Sequence, residues 1–147
     1  MKKRIYKKRE KVVLVGGCFD VLHFGHIHFL STAKTYGDRL IVALESDENV
    51  RKRKGDTRPI HTQSQRKAML SALSCVDKII ELPTMNTDKE YFELVTTIHP
   101  AVIALTEGDL YKDKKIAQAQ SIGADVVEIP RIHTPSTTQL AKLIGLE

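Results

Sequence analysis

Five short apolar segments recur along the chain, each four or five residues long, at residues 11–15, 40–44, 78–82, 101–105 and 126–129. Valine, isoleucine, leucine and alanine dominate these segments, and glycine, proline or charged residues bound them. Short continuous apolar runs of this kind are typical of strands buried on both faces, as in a parallel sheet. The pattern therefore predicts five buried strands.

The segments between the strands carry helical signals, at residues 25–36, 62–74, 88–98, 112–122 and 136–144. Thr62 followed by Gln65 fits a capping box, in which each residue bonds the other's backbone N–H. Ser136 is the predicted N-cap of the last helix. Residues 45–57 are polar and include the basic run of residues 51–54, and the breakers Gly55 and Pro59 favour a loop rather than a helix; the basic run either contacts phosphate or is simply solvated.

Strand and helix alternate throughout, which indicates a parallel sheet with helices on both faces. We predict an α/β fold, a single doubly wound Rossmann-like domain with a five-stranded parallel sheet over residues 12–147. In such sheets the ligand binds at the carboxyl ends of the strands. The loops expected around one crevice are residues 16–26, 45–58, 106–113 and 130–138.

The net charge of +5 is concentrated at one end of the chain. Residues 1–11 hold seven Lys and Arg residues and one acid, which leaves 16 basic and 17 acidic groups in the rest. We interpret residues 1–11 as a basic N-terminal extension ahead of the domain. The near-neutral body argues against a broad nucleic-acid-binding surface.

Several classes of protein are disfavoured by composition. No apolar run approaches the length of about 20 residues that a membrane span needs, and no apolar signal core follows the charged N-terminus. Cys18 and Cys75 are far apart in sequence and lack metal-ligand spacing. We therefore expect a cytoplasmic protein with no membrane partner and no metal site built from its own side chains.

The chemistry is concentrated in residues 17–26, which read G-C-F-D-V-L-H-F-G-H. Glycine allows the backbone to approach a phosphate closely. The helix that begins near Gly25 presents free N–H groups and a positive dipole end to an anion. His23 and His26 flank that helix start, so both imidazoles are expected to face the same phosphate.

This segment resembles the G-x-F-D-x-x-H-x-G-H signature of the cytidylyltransferase-like nucleotidylyltransferases, with their H-x-G-H motif. All six fixed positions match. The likeness extends over nearly all of residues 12–145. Residues 54–59 (K-G-D-T-R-P) resemble the adenylyltransferases that form ADP-heptose from heptose 1-phosphate. Residues 130–138 resemble the R-T-x-G-I-S-T-[ST] signature of the cytidylyltransferases.

The resemblance implies transfer of NMP from an NTP to a small phosphorylated substrate, with Mg²⁺ bound to the NTP. The implied catalytic residues are His23, His26 and Lys54. The implied nucleotide-binding residues are Gly17, Cys18, Phe19, Asp20, Gly25, Asp109, Arg131, Ser136 and Thr137. Asp20 is expected to orient the loop by accepting backbone N–H bonds rather than to act as a base. Related enzymes are commonly dimers, so a homodimer is expected.

Several points stay open at the level of sequence. The acceptor is a sugar 1-phosphate such as heptose 1-phosphate with ATP, or a polyol phosphate such as glycerol 3-phosphate with CTP. A non-catalytic nucleotide-binding protein on the same fold is a third reading. Lys52 and Lys54 compete for the phosphate role, and Arg66 is expected to reach either the crevice or an acidic neighbour.

Overall fold

A computed structural model describes residues 9–146. The five strands are β1 (Val12–Gly17), β2 (Arg39–Leu44), β3 (Lys78–Glu81), β4 (Val102–Thr106) and β5 (Asp125–Ile129). The helices are α1 (Phe24–Lys34), α2 (Asp47–Lys54), α3 (Gln63–Ser71), α4 (Asp88–Ile98), α5 (Lys112–Ile122) and α6 (Thr137–Leu143). The predicted strands and their alternation with helices are confirmed.

All four strand pairings are parallel, and the sheet order is β3-β2-β1-β4-β5. The chain therefore winds outward from the centre first in one direction and then in the other. The switch point lies between β1 and β4, and ligand crevices form at the carboxyl ends of strands at such a point. The loops after β1 and β4 are placed to line the crevice.

Each face of the sheet has its own core. On one face the buried residues include Leu30 of α1 and Leu70 of α3. On the other face Val95 of α4 and Ala119 of α5 pack on Leu14 and Ile103. This double burial explains why the strands read as continuous apolar runs rather than alternating ones.

The predicted loop at residues 45–57 is wrong, because it contains α2. The Ser46 hydroxyl caps this helix by accepting a hydrogen bond from Asn49 N at 3.1 Å. Val50 is its only buried apolar residue, so the helix shows no amphipathic period in sequence. Four consecutive basic residues fill the last turn, where they interact favourably with the helix dipole.

The basic extension predicted at residues 1–11 lies largely outside the described residues, which begin at residue 9. In the described part of the chain, none of the helices has the length and apolar character that crossing a membrane requires.

Candidate active site

The loop between β1 and α1 has an unusual backbone. Phe19 and Val21 both adopt left-handed conformations, with φ of 47° and 54°. Residues other than glycine rarely occupy this region, and a β-branched residue such as Val21 is a clear outlier there. Strain of this kind persists only where surrounding contacts enforce it, and it clusters at functional sites.

Asp20 lies between these two residues and ties the loop to residues 58–61. Its carboxylate is fully buried, and it accepts hydrogen bonds from Arg58 Nε at 2.8 Å, Ile60 N at 2.8 Å and His61 N at 3.0 Å. Burial alone would raise the pKa of Asp20, but these donors outweigh it and hold the pKa below its usual value. The expected orienting role agrees with this geometry. A direct contact between Asp20 and nucleotide has no such support, because Asp20 is fully buried and does not line the cavity described below.

His23 and His26 are held by the start of α1. His23 Nδ1 accepts a hydrogen bond from Gly25 N at 3.0 Å, and His26 Nδ1 accepts one from His23 N at 3.4 Å. The two rings lie 3.9 Å apart, centroid to centroid. Because each Nδ1 faces a backbone donor, each neutral ring carries its hydrogen on Nε2. The pair therefore presents two Nε2–H donors.

The electrostatics favour these neutral forms. Burial, together with the nearby Lys54 charge, lowers the pKa of His23. Burial and the neighbouring His23 and Lys54 lower the pKa of His26 to about 3. At neutral pH His26 is thus a neutral donor, and it can bond a phosphate oxygen without first losing or gaining a proton.

The two motif glycines are required by close packing. A Cβ on Gly25 would lie 2.8 Å from His23 Cε1 and 3.0 Å from Thr134 Cγ2. A Cβ on Gly17 would lie 2.9 Å from Phe19 Cε2. Any side chain at either position would displace a ring that shapes the site.

The motif opens into a cavity of about 500 Å³, which we call the motif cavity. It brings together all but one of the predicted site residues: Gly17, Cys18, Phe19, His23, Gly25, His26, Lys54, Asp109, Arg131, Ser136 and Thr137. The exception is Asp20. These residues come from the ends of β1 and β4, from α1 and α2, and from the segment after β5, as the strand-end argument predicts.

The two competing lysines of α2 are separated by the structure. Lys54 lines the motif cavity, and within residues 9–146 its ammonium makes no ion pair. Lys52 points elsewhere, paired with Glu48 at 2.9 Å and bonded to Asn86 at 3.0 Å. Lys54 is therefore the lysine positioned to meet a phosphate.

The C-terminal segment forms the opposite wall. Arg131 is exposed, and its Nε donates to the Glu107 carbonyl at 3.0 Å. Ser136 caps α6, with its hydroxyl accepting from Gln139 N at 3.2 Å, as predicted. This wall thus combines a guanidinium with two hydroxyl-bearing residues, Ser136 and the buried Thr137.

Arg66 reaches an acidic neighbour rather than the cavity. Its side chain is fully buried and bonds Asp47 Oδ1 at 2.7 Å. It also donates to the carbonyls of Cys18 at 2.6 Å, Glu45 at 2.9 Å and His61 at 3.1 Å. This single side chain therefore joins the loops that follow β1 and β2.

A second cavity, of about 260 Å³, lies on the α4 and α5 face of the sheet. It shares Gly16, Gly17, Asp109 and Tyr111 with the motif cavity, so the two spaces meet across the end of β1. We refer to it below as the second cavity. Sequence reasoning did not identify it.

Ion pairs surround the second cavity. Arg53 pairs with Glu45 at 3.1 Å, Lys115 with Asp109 at 2.6 Å, and Lys114 with Asp88 at 2.8 Å. These cations and carboxylates offer both donors and acceptors to a ligand.

Tyr91 joins this set from α4, with its hydroxyl 3.0 Å from Glu45 Oε2. Burial and the Glu45 carboxylate raise the pKa of Tyr91 to about 12, so it remains a hydroxyl.

Only part of the second cavity had a sequence signal. Glu45 directly follows β2 and Asp109 follows β4, so the strand-end rule would have found both. Tyr91 and Lys115 lie inside ordinary surface helices, where tyrosine and lysine carry no distinguishing pattern. Their role becomes visible only when α4 and α5 are packed together on the sheet.

Comparison with known proteins agrees with the geometry. The family model described as cytidylyltransferase-like matches residues 14–138. Among curated relatives, the bifunctional protein HldE of Hydrogenovibrio crunogenus is 41% identical over 140 residues, covering 93% of this chain and 28% of its own length. The HldE of Cronobacter sakazakii is 39% identical over 141 residues, covering 94% and 28%. The chain thus spans little more than a quarter of these relatives.

Solved structures share the fold. The lipopolysaccharide core biosynthesis protein of Thermoplasma volcanium superposes with a TM-score of 0.67 at 27% identity, covering 84% of this chain and 97% of that one. Pantoate-beta-alanine ligase of Francisella tularensis superposes at 0.60 with 18% identity, covering 87% and 62%, which shows the fold alone. The family match over most of the chain, together with the motif geometry, leads to one assignment: the chain belongs to the cytidylyltransferase-like family and is a nucleotidyltransferase.

Proposed function

We propose that the protein transfers the NMP group of an NTP to a small phosphorylated acceptor and releases pyrophosphate. The observation that carries the proposal is the pair of neutral imidazoles, His23 and His26, fixed by backbone N–H groups at the start of α1. Preorganised donors of this kind stabilise charge that develops on a phosphoryl group and need no rearrangement during the reaction.

The reaction is an in-line displacement at the α-phosphorus. An oxygen of the acceptor phosphate forms a new bond to that phosphorus, while the bond to the bridging oxygen of the β-phosphate breaks. Pyrophosphate leaves with the bonding electron pair. The attacking oxygen is already ionised, so no side chain has to remove a proton. The protein contributes orientation and charge stabilisation.

Each wall of the motif cavity has its own part in this proposal. The Nε2–H groups of His23 and His26 bond the α-phosphoryl oxygens. The Lys54 ammonium, which makes no ion pair within the described chain, neutralises charge that moves to the leaving group. Arg131, with Ser136 and Thr137, holds the β- and γ-phosphates from the opposite side.

Mg²⁺ is proposed to arrive as part of the NTP substrate, bound by phosphate oxygens and water. Among residues 9–146, no cluster of three His, Cys, Asp or Glu side chains could hold a metal ion. We expect the nucleotide to supply most of the ligands of this ion, because Mg²⁺ keeps several of its waters and uses few protein ligands.

The second cavity is proposed to take the body of the acceptor. It shares Gly16 and Gly17 with the motif cavity, which is also lined by His23 and His26. Its carboxylates and the Tyr91 hydroxyl suit the hydroxyl groups of a sugar or polyol, and its cations suit a phosphate. An acceptor in this cavity would place its phosphate at the junction, where the α-phosphorus lies.

For the substrates we propose ATP and a heptose 1-phosphate. Residues 54–59 resemble the ADP-heptose-forming enzymes, and the relatives named HldE support the same reaction. Glycerol 3-phosphate with CTP is the alternative. It is favoured by the spacing of Arg131 to Ser136 and Thr137, which resembles the cytidylyltransferase signature.

The test is pyrophosphate release by the full chain in a grid of four NTPs against heptose 1-phosphate and glycerol 3-phosphate. We expect turnover with ATP and heptose 1-phosphate. Turnover with CTP and glycerol 3-phosphate alone would replace the lead substrates by the alternative. Tight NTP binding without turnover for any pair would support a non-catalytic nucleotide-binding protein and overturn the proposal.

A further inference from the structure

Two neighbouring cations in the last turn of α2 line different cavities. Lys54 lines the motif cavity, whereas Arg53 lines the second cavity. Both belong to a run of four basic residues that looks uniform in sequence. The division gives the junction of the two cavities one cation on each side.

The Arg53 guanidinium is held in place by three contacts. Its Nη2 forms an ion pair with Glu45 Oε1 at 3.1 Å and donates a hydrogen bond to the Tyr91 hydroxyl at 3.0 Å. Its central carbon lies 5.1 Å from the centroid of the Tyr111 ring. Glu45 is itself anchored, since its side chain is only 6% exposed. The guanidinium is therefore preorganised rather than free to move.

The same contacts leave part of the guanidinium available. The ion pair and the hydrogen bond both use Nη2, and within residues 9–146 no ion pair or hydrogen bond involves Nη1 or Nε. The Arg53 side chain is 32% exposed, so these N–H groups are not sealed in the protein. Nε and Nη1 carry three N–H groups, and each can donate to a phosphate oxygen that approaches it.

Arg53 also lies near the point where the two cavities meet. Tyr111, on which it stacks, lines both cavities. Burial raises the pKa of Cys18 in the motif cavity, and the charges of Lys54 and Arg53 both oppose that rise. The Arg53 charge thus reaches across the junction to the loop that carries the histidine motif.

We infer that Arg53 binds the phosphate of the acceptor and thereby selects phosphorylated acceptors and aims their oxygen at the α-phosphorus. This inference rests on the proposed function, because it assigns a residue to the acceptor of that reaction. Glu45 and Tyr91 are positioning residues here, since they hold Nη2 while the N–H groups of Nε and Nη1 donate to the phosphate.

The kinetic test compares Arg53→Gln and Arg53→Lys with Arg51→Gln, a control on the same helix that lines neither cavity. With ATP and heptose 1-phosphate, we expect Arg53→Gln to raise the acceptor KM by about 10- to 100-fold, the range typical of a lost hydrogen bond to a charged group. The KM for ATP should stay within about threefold. Arg53→Lys should recover part of the loss, and Arg51→Gln should match the unaltered protein.

A binding measurement separates phosphate recognition from a structural role. Calorimetric titration with heptose 1-phosphate and with unphosphorylated heptose should show that Arg53→Gln weakens only the first. Equal weakening of both, or a fall in melting temperature with no change in affinity, would overturn the inference. Unchanged acceptor KM in an enzyme that turns over would overturn it too and leave the proposed function intact. If the protein without substitutions turns over no combination of NTP and acceptor, the proposed function fails. The inference about Arg53 is tested separately by binding, and it is rejected if Arg53→Gln binds heptose 1-phosphate as tightly as the protein without substitutions.

Discussion

The two cavities at the end of the sheet present charge in opposite ways. In the motif cavity the donors are two neutral imidazoles, the exposed Arg131 and a lysine that makes no ion pair in the described chain. In the second cavity every cation already has a carboxylate beside it, as in the pair of Arg53 with Glu45. The motif cavity therefore contains a cation that has no carboxylate partner in the described chain, whereas each cation of the second cavity is paired with a carboxylate.

The difference fits ligands of different charge. A triphosphate brings several negative charges, so a site for it is expected to contain donors whose own counter-ions are absent. A phosphorylated sugar or polyol brings one phosphate and many hydroxyls, so a site for it benefits from carboxylates as well as cations. The two cavities share the glycines at the end of β1, and the proposed function requires the two ligands to meet there.

The largest predicted effect is a loss of stability when Asp20, which holds the motif loop, is replaced. Its buried carboxylate holds Arg58 and the backbone of residues 60–61, so Asp20→Asn should destabilise the fold by about 3–5 kcal/mol, as removal of one member of a buried pair does. Asp88→Asn is the matched change in the second cavity. Its ion pair with Lys114 is exposed, so the effect should stay within about 1 kcal/mol.

Urea unfolding of both variants measures this difference. Equal destabilisation by Asp20→Asn and Asp88→Asn would show that the motif loop does not depend on its buried carboxylate.

Replacement of His26 tests whether the motif cavity supplies the catalytic donors. Loss of one preorganised donor to the transition state reduces kcat by about 10²–10³, so His26→Ala should nearly abolish pyrophosphate release and keep the fold. His133→Ala is the control, because His133 is exposed and outside the cavity lining. If His26→Ala retains activity within about threefold of the unaltered enzyme, the imidazole pair does not carry the reaction.

Much of the scaffold could be predicted from sequence, because buried parallel strands and capping residues leave local signals. All five strands and the caps at Thr62 and Ser136 were found in this way. β1 runs on to Gly17 rather than turning at Gly16, since both glycines still pair with β2. The helix α2 was missed because a short helix with one buried apolar side chain has no hydrophobic period.

The site was predictable only where one segment supplies several groups. The motif loop supplies both histidines within four positions, and its pattern is specific. The second cavity gathers residues from separate strands and helices, and polar members such as Tyr91 and Lys115 have the sequence character of ordinary surface positions. The burial of Asp20 was equally invisible, since its partners lie about 40 positions along the chain.

The third prediction concerns the charge state of the motif cavity. The pKa of His26 is about 3 in the folded protein and about 6.5 in an unfolded chain. Between these values the unfolded chain binds the extra proton, so stability falls as the pH drops below about 6.5. From pH 7 to pH 5 this contribution amounts to about 2 kcal/mol.

The variant His26→Asn cannot titrate in this range and should lose correspondingly less stability. Urea unfolding at pH 7 and pH 5 gives both differences, and the carboxylates common to both proteins cancel. An identical loss in the two proteins would mean that His26 is not held neutral by the fold.

The smallest effect on kinetics is expected for substitution of Arg131. This substitution tests whether Arg131 and Arg53 bind different ligands. Arg131 lines only the motif cavity and Arg53 only the second one. Arg131 is exposed, so solvent screens its charge, and Arg131→Ala should raise the KM for the NTP about tenfold, toward the low end for a charged hydrogen bond. The acceptor KM should stay nearly unchanged, which is the reverse of the pattern expected for Arg53→Gln. Arg131→Lys should restore only part of the loss, because an ammonium cannot make the paired contact of a guanidinium. A rise in the acceptor KM alone would reassign the segment after β5 to the acceptor and remove the division of labour between the cavities.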